Sequence, residues 1–217
     1  MNISRRTFQG ALAALMLSAG LASAAHADAI PYPTPGSYNA ATYSFTAAAD
    51  GNIVAYIVGG FSAGFENQLG LRVNGTAQGG FGLDNHSSSV GDSYNFGSVH
   101  AGDTLTFVLH DLSLGMDAYS NPSLNVAYDS AGETRHNHIY STAYTATNPL
   151  FSGVPTGTYV AFEDLPFPGS DFNYNDESFV FTNTRVVTSV PEPASLALLG
   201  TGLLGAGVFG RRKRKAA

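Results

Sequence analysis

The densest group of side chains able to do chemistry lies between Phe162 and Glu177, where the chain reads F-E-D-L-P-F-P-G-S-D-F-N-Y-N-D-E. Glu163, Asp164, Asp171, Asn173, Asn175, Asp176 and Glu177 place seven carboxylates and amides within fifteen positions, with no Lys or Arg among them. Carboxylates crowded in this way repel one another unless something positive sits between them. A hard divalent cation is the simplest remedy, and Ca2+ accepts six to eight oxygens from carboxylates, amides, backbone carbonyls and water. If Asp171 to Asn175 is extended, Asp171, Asn173 and Asn175 share one face, while Phe172 and Tyr174 point the other way, towards a core. The opening D-x-N-x-N is similar to the start of an EF-hand loop. That loop needs Gly at its sixth position, where this chain has Asp176, and it needs flanking helices, for which there is no signal. The expectation is therefore a calcium site in a β-loop. The alternative is a solvated acidic turn between two strands.

The elements that must position this segment read as strands. No stretch shows a sustained helical period; short apolar runs bounded by turn residues dominate. The strand candidates are Ala41–Ala47, Asn52–Val58, Leu69–Val73, Thr104–His110, Thr158–Phe162 and Ser178–Val187, with Ser123–Tyr128 weaker. In Thr104–His110, alternation puts Leu105, Phe107 and Leu109 on one face. Asn74-Gly75 is a strong tight-turn pair, and Asp84-Asn85 also reads as a turn. Ile30 to Gly36, rich in proline, is an extended lead-in. Strands at this spacing predict an all-β fold, an antiparallel β-sandwich or jelly roll.

Other candidate chemistry is sparse. His136 and His138 flank Asn137 and would share a face in a strand, but no third metal ligand is identifiable; a solvated polar turn is expected there. His86, His100 and His110 are scattered and read as surface or satisfied core residues. There is no P-loop, and no G-x-S-x-G or dinucleotide motif lies in the strand-to-helix context its chemistry needs. Glu163 with Asp176 or Glu177 could imitate a glycosidase pair, although neighbouring acids in one turn are more often metal ligands. No catalytic activity is expected.

The two ends have a different character. Residues 1–27 have the form of a signal peptide: Arg5 and Arg6, an apolar Ala11–Leu21, and Ala25-His26-Ala27 before a cut at Asp28. Ser4-Arg5-Arg6-Thr7-Phe8 resembles a twin-arginine export signal; an ordinary Sec leader fits as well. At the other end, residues 188–193 form a linker containing Pro191-Glu192-Pro193. Residues 194–210 carry no charge and would cover about 25 Å as a helix, enough for a transmembrane helix with snorkelling flanks. Residues 211–217 open with five basic residues, which favour the cytoplasmic side.

Between these ends, residues 28–187 form the expected β domain. From Asp28 to Val190 only Arg72, Arg135 and Arg185 oppose fifteen acidic residues, so this part carries a net charge of about −12, where the whole chain shows −6. That surface repels nucleic acid and anionic head groups, and no nucleic-acid partner is expected. The chain has no cysteine, so an exported domain must be held by its core, with bound metal as a brace.

Two resemblances follow from these residues. Val190-Pro191-Glu192-Pro193, the apolar stretch and Arg211 to Lys215 resemble a PEP-CTERM sorting signal. The resemblance implies cleavage by an exosortase near Pro-Glu-Pro after removal of the leader by signal peptidase. It also implies passage from the inner membrane to the surface or exterior of a Gram-negative bacterium, in systems associated with exopolysaccharide and biofilm. Phe162 to Phe181, with F-E-D-L-P and D-F-N-Y-N-D-E-S-F-V-F, resembles the exported domain of unknown function 4114. This second resemblance implies a β-rich extracellular module that binds calcium, with no enzymatic activity. The leading expectation is a non-catalytic, calcium-stabilised envelope or matrix module. The alternatives are a carbohydrate-binding module, with tyrosines as sugar platforms, and a glycan-cleaving hydrolase.

Overall fold

The computed structural model of the protein describes residues 30–61, 63–129, 136–147, 151 and 153–189. The expected signal peptide, transmembrane helix, basic tail and Arg135 lie outside the described residues. Among the described residues there is no α-helix, and no helix is long and apolar enough to cross a membrane.

Eleven strands follow in order: β1 (Thr42–Ala47), β2 (Gly51–Gly59), β3 (Asn67–Val73), β4 (Thr76–Asp84), β5 (Ser93–Val99), β6 (Thr104–Asp111), β7 (Met116–Tyr119), β8 (Ile139–Tyr144), β9 (Gly157–Phe162), β10 (Glu177–Phe181) and β11 (Thr184–Ser189). They form two antiparallel sheets. One has the order β11-β1-β6-β3-β4, with β7 also paired to β6; the other has the order β5-β2-β10-β9-β8. Alternation decides what faces inward. Phe45, Leu69, Leu71, Leu105, Phe107 and Leu109 from the first sheet meet Ile53, Ile57, Phe96, Val160, Phe162, Phe179 and Phe181 from the second. The Phe107 and Phe181 rings stack across the interface with centroids 3.8 Å apart.

The second sheet is covered on both faces. Tyr159, Ala161 and Val180 on its outer side pack with Tyr32 of the lead-in and with Tyr144, Phe151, Val154 and Tyr174. The lead-in is pinned there by the Gly36 amide, which donates to the Phe172 carbonyl at 3.1 Å. Among the described residues, no comparable layer is built over the outer face of the first sheet at Phe81, which is 46% exposed.

Asn74 (φ 48°) and Gly75 (φ 82°) make the expected tight turn between β3 and β4. Two strand expectations need correction. Ser178–Val187 is two strands, because Asn183 adopts φ 57° and folds the chain back from β10 into β11. Ser123–Tyr128 is not a strand. Pro122 starts a short 3-10 turn over Pro122–Leu124, capped by the Asn121 side chain, which accepts from the Ser123 amide, and Pro at such a position lacks the donor a sheet would need.

Candidate functional site

Three core-facing rows turn polar at the same end of the sandwich. The row Leu105, Phe107, Leu109 continues to Asp111 at the end of β6, and the row Leu71, Leu69 continues to Asn67 at the start of β3; Asn67 and Asp111 are register partners. In the opposite sheet the row Phe181, Phe179 continues to Glu177, whose partner on β9 is Phe162. Glu163 and Asp164 follow directly. Close approach of the chains here requires a glycine: a Cβ on Gly60 (φ 99°) would sit 2.2 Å from the Asp176 carbonyl oxygen.

The seven residues expected to form one site divide into two groups. Asp171 and Asn175 are exposed and Asn173 is half-exposed. The side chains of Asp171 and Asn173 are used locally: Asp171 accepts from the Asn173 amide at 3.1 Å and from its Nδ2 at 2.8 Å, and Asn173 Oδ1 accepts from the Asn175 amide at 3.0 Å. The segment is not an extended strand, since Phe172 and Tyr174 take φ 54° and 53°. Tyr174 is nonetheless buried and Phe172 half-buried. Tyr174 Oη accepts from the Asn39 amide at 3.0 Å and donates to the Asn137 carbonyl at 3.2 Å.

The second group is interior. Glu163, Asp164 and Glu177 are 1%, 4% and 0% exposed. Asp164 Oδ2 accepts from Asn67 Nδ2 at 2.8 Å, and the Asp164 amide donates to Asp176 Oδ2 at 2.9 Å. The Tyr128 hydroxyl donates to the Asp164 carbonyl. Both carboxylate oxygens of Glu163, both of Glu177, Asp111 Oδ2 and Asn67 Oδ1 are buried without a hydrogen-bond partner. A buried acceptor left unmatched costs about 1–3 kcal/mol, and a charged one more.

The electrostatics follow from that burial. Desolvation, then the charges of Asp84, Asp164 and Asp176, hold Glu177 well above the ordinary carboxyl range. Burial and the neighbouring Asp164 and Glu163 push Asp176 up to about 8. Glu163 is raised by burial and by Asp171, against a smaller opposing pull from Ser170 and the amides of Tyr174 and Asp171, which lie near without making a well-formed bond. Burial likewise raises Asp164 and Asp111. With no described Lys or Arg among them, these acids keep protons at pH values where exposed carboxyls have lost theirs. Among the described residues, no group of three or more His, Asp or Glu side chains is already gathered into a ligating cage.

A neighbouring network was not legible in advance. His136, Asn137 and His138 are not a solvated turn: they are 9%, 2% and 1% exposed. Asp129 binds them. Its carboxylate accepts from His138 Nε2 at 2.8 Å, from the His136 amide at 3.0 Å and from the Phe167 amide at 3.1 Å. Burial raises the Asp129 carboxyl, but His138 and these amides together outweigh it and leave the group below its usual range. Asp111 and Asn67 were also missed. The available signal was positional: each is a polar residue at the end of a core-facing alternation.

Residues 189–215 match the PEP-CTERM protein-sorting motif. The motif implies an exported protein processed at the membrane by an exosortase, and it begins at Ser189, the last residue of β11. No curated protein and no solved structure matches the chain.

Proposed function

We propose that the β domain is a non-catalytic module of the cell surface or extracellular matrix, braced by Ca2+ once it has been exported and sorted. The single observation that carries this reading is the set of unmatched buried oxygens on Glu163, Glu177, Asp111 and Asn67. All are hard oxygen donors, the chemistry Ca2+ prefers. Glu163, Asp164, Asp176 and Glu177 would hold the ion from one sheet and its loop, with Asp111 and Asn67 adding oxygens from the other. The ion would supply positive charge among these acids, where the described residues place no Lys or Arg. Binding restricted to the folded state would stabilise a domain that has no disulfide. The similarity of Phe162 to Phe181 to domain of unknown function 4114 points the same way.

The non-catalytic part rests on access. Glu163, Asp164 and Glu177 are closed to solvent, so a polysaccharide could not reach them as a glycosidase substrate must. After processing, the place of work is the exterior, where association with exopolysaccharide and biofilm is the expected setting. Equilibrium dialysis of the full chain against calcium tests the reading. Saturable uptake is expected, with Glu163→Gln and Glu177→Gln each weakening it on the order of tenfold, about 1.4 kcal/mol. No uptake, or uptake indifferent to both substitutions, contradicts it.

A further inference from the structure

The outer face of the first sheet carries a second feature, unconnected with the acidic end. A groove of about 190 Å³, open to solvent, is floored by Gly70 and Val108 and walled by Phe81, Tyr119, Arg72 and Asp117. Its floor is low because the centre of β3 has no side chain there. A Cβ on Gly70 would lie 2.6 Å from the Phe81 ring, so Phe81 can lie across the strand only over glycine. The β3–β4 register also shifts beside this glycine, between Gly70 and Leu71, as strand glycines often do at a bulge or where another group lies close to the backbone.

The walls interleave apolar rings with fixed polar groups. Phe81, still 46% exposed, stacks on the His110 imidazole with centroids 4.6 Å apart. His110 Nδ1 lies 2.7 Å from Asp117 Oδ1, and the Tyr119 hydroxyl donates to Asp117 Oδ2 at 3.0 Å. Both neighbours fix the orientation of this carboxylate, and each of its oxygens retains a further lone pair. The Arg72 guanidinium lies 5.7 Å from the centre of the Tyr119 ring and is tethered through Nε to the Gly75 carbonyl at 2.9 Å. The Nε tether leaves the guanidinium's terminal nitrogens as donors beside the ring.

From this arrangement we infer that the groove binds a neutral pyranose unit of a polysaccharide. A sugar ring has an apolar C–H face that packs on an aromatic ring, and vicinal hydroxyls that donate and accept at its edge; Phe81 and Tyr119 meet the first, Asp117 and Arg72 the second. The space is below the roughly 300–1,000 Å³ typical of drug-sized ligands, which suits a single ring, and its open side lets a chain continue in both directions. Neutrality follows from charge. Arg72 and Asp117 offset each other locally, while a domain of net charge about −12 repels a polyanion.

The test is affinity electrophoresis of the full chain, kept soluble with a polyoxyethylene detergent, through gels containing soluble glucan, galactan or mannan, with polygalacturonate as the acidic counterpart. Retarded migration in at least one neutral gel is expected. Phe81→Ala and Asp117→Asn should each weaken it tenfold or more at an unchanged melting temperature, and Asp117→Asn serves alone if Phe81→Ala fails to fold. Val187→Ala, on the exposed side of β11, should leave the retardation unaltered. No retardation by any neutral polymer, retardation by polygalacturonate alone, or retardation that survives Asp117→Asn would overturn the inference.

Discussion

Asp171, Asn173 and Asn175 lie only a few residues from Glu163 and Glu177, yet the two sets have opposite physical situations. The first set is exposed or half-exposed, and the oxygens of Asp171 and Asn173 accept from neighbouring amides. The second is buried with its oxygens unmatched. Oxygen density along the chain is similar in both, so density alone does not mark where a cation would gain most. What matters is whether an oxygen already has a partner and whether water can supply one. Asp129 completes the comparison, as a carboxylate that is also buried but partnered.

The comparison can be broken most decisively at Asp129. Asp129→Ala removes the acceptor for His138 and two amides, and should cost about 3–5 kcal/mol, read by chemical denaturation. Glu177→Met should have the opposite sign in EDTA. It deletes two orphaned oxygens from a dry position while conserving volume, and should stabilise by about 1–3 kcal/mol. A large loss from Glu177→Met in EDTA would mean that its carboxylate has a partner after all.

A pH series sharpens the same point. Asp176, with its carboxyl pushed up to about 8, and the raised Glu163, Asp164, Asp111 and Glu177 bind protons more tightly folded than unfolded. Without metal, stability therefore falls as pH climbs from about 4 towards 8. Saturating calcium should flatten that slope, because the ion replaces the protons. Stability in EDTA that rises over this window would contradict the burial of these groups. The smallest effect belongs to the exposed set: Asn175→Ala should stay within about 0.5 kcal/mol of the parent in either condition.

Much of the fold could be read from residue order, for reasons that also explain the failures. Leu105, Phe107 and Leu109 announce a half-buried strand by strict alternation, and Asn74-Gly75 announces its own turn. β4 and β5 stayed hidden because Gly79, Gly80, Gly82 and Gly97 look like loop, although Gly79 and Gly82 in β4 let Phe96 and Tyr94 of the facing edge approach the backbone. The buried acids were identified by composition, but not which of them are interior. That depends on Glu177 continuing the Phe179–Phe181 row and on Asp111 arriving from the other sheet, a long-range pairing. His136 and His138 look like surface residues until Asp129 is brought to them.

The most direct test of the central claim is the melting temperature of the full chain, measured by circular dichroism in EDTA and in calcium at about a hundred times its dissociation constant. An ion bound only to the folded state adds about 2.7 kcal/mol under those conditions, or roughly 5–10 °C for a domain of this size. A rise of that order, absent in Glu177→Met and retained in Asn175→Ala, is the predicted result. Melting curves that superimpose with and without calcium would contradict it.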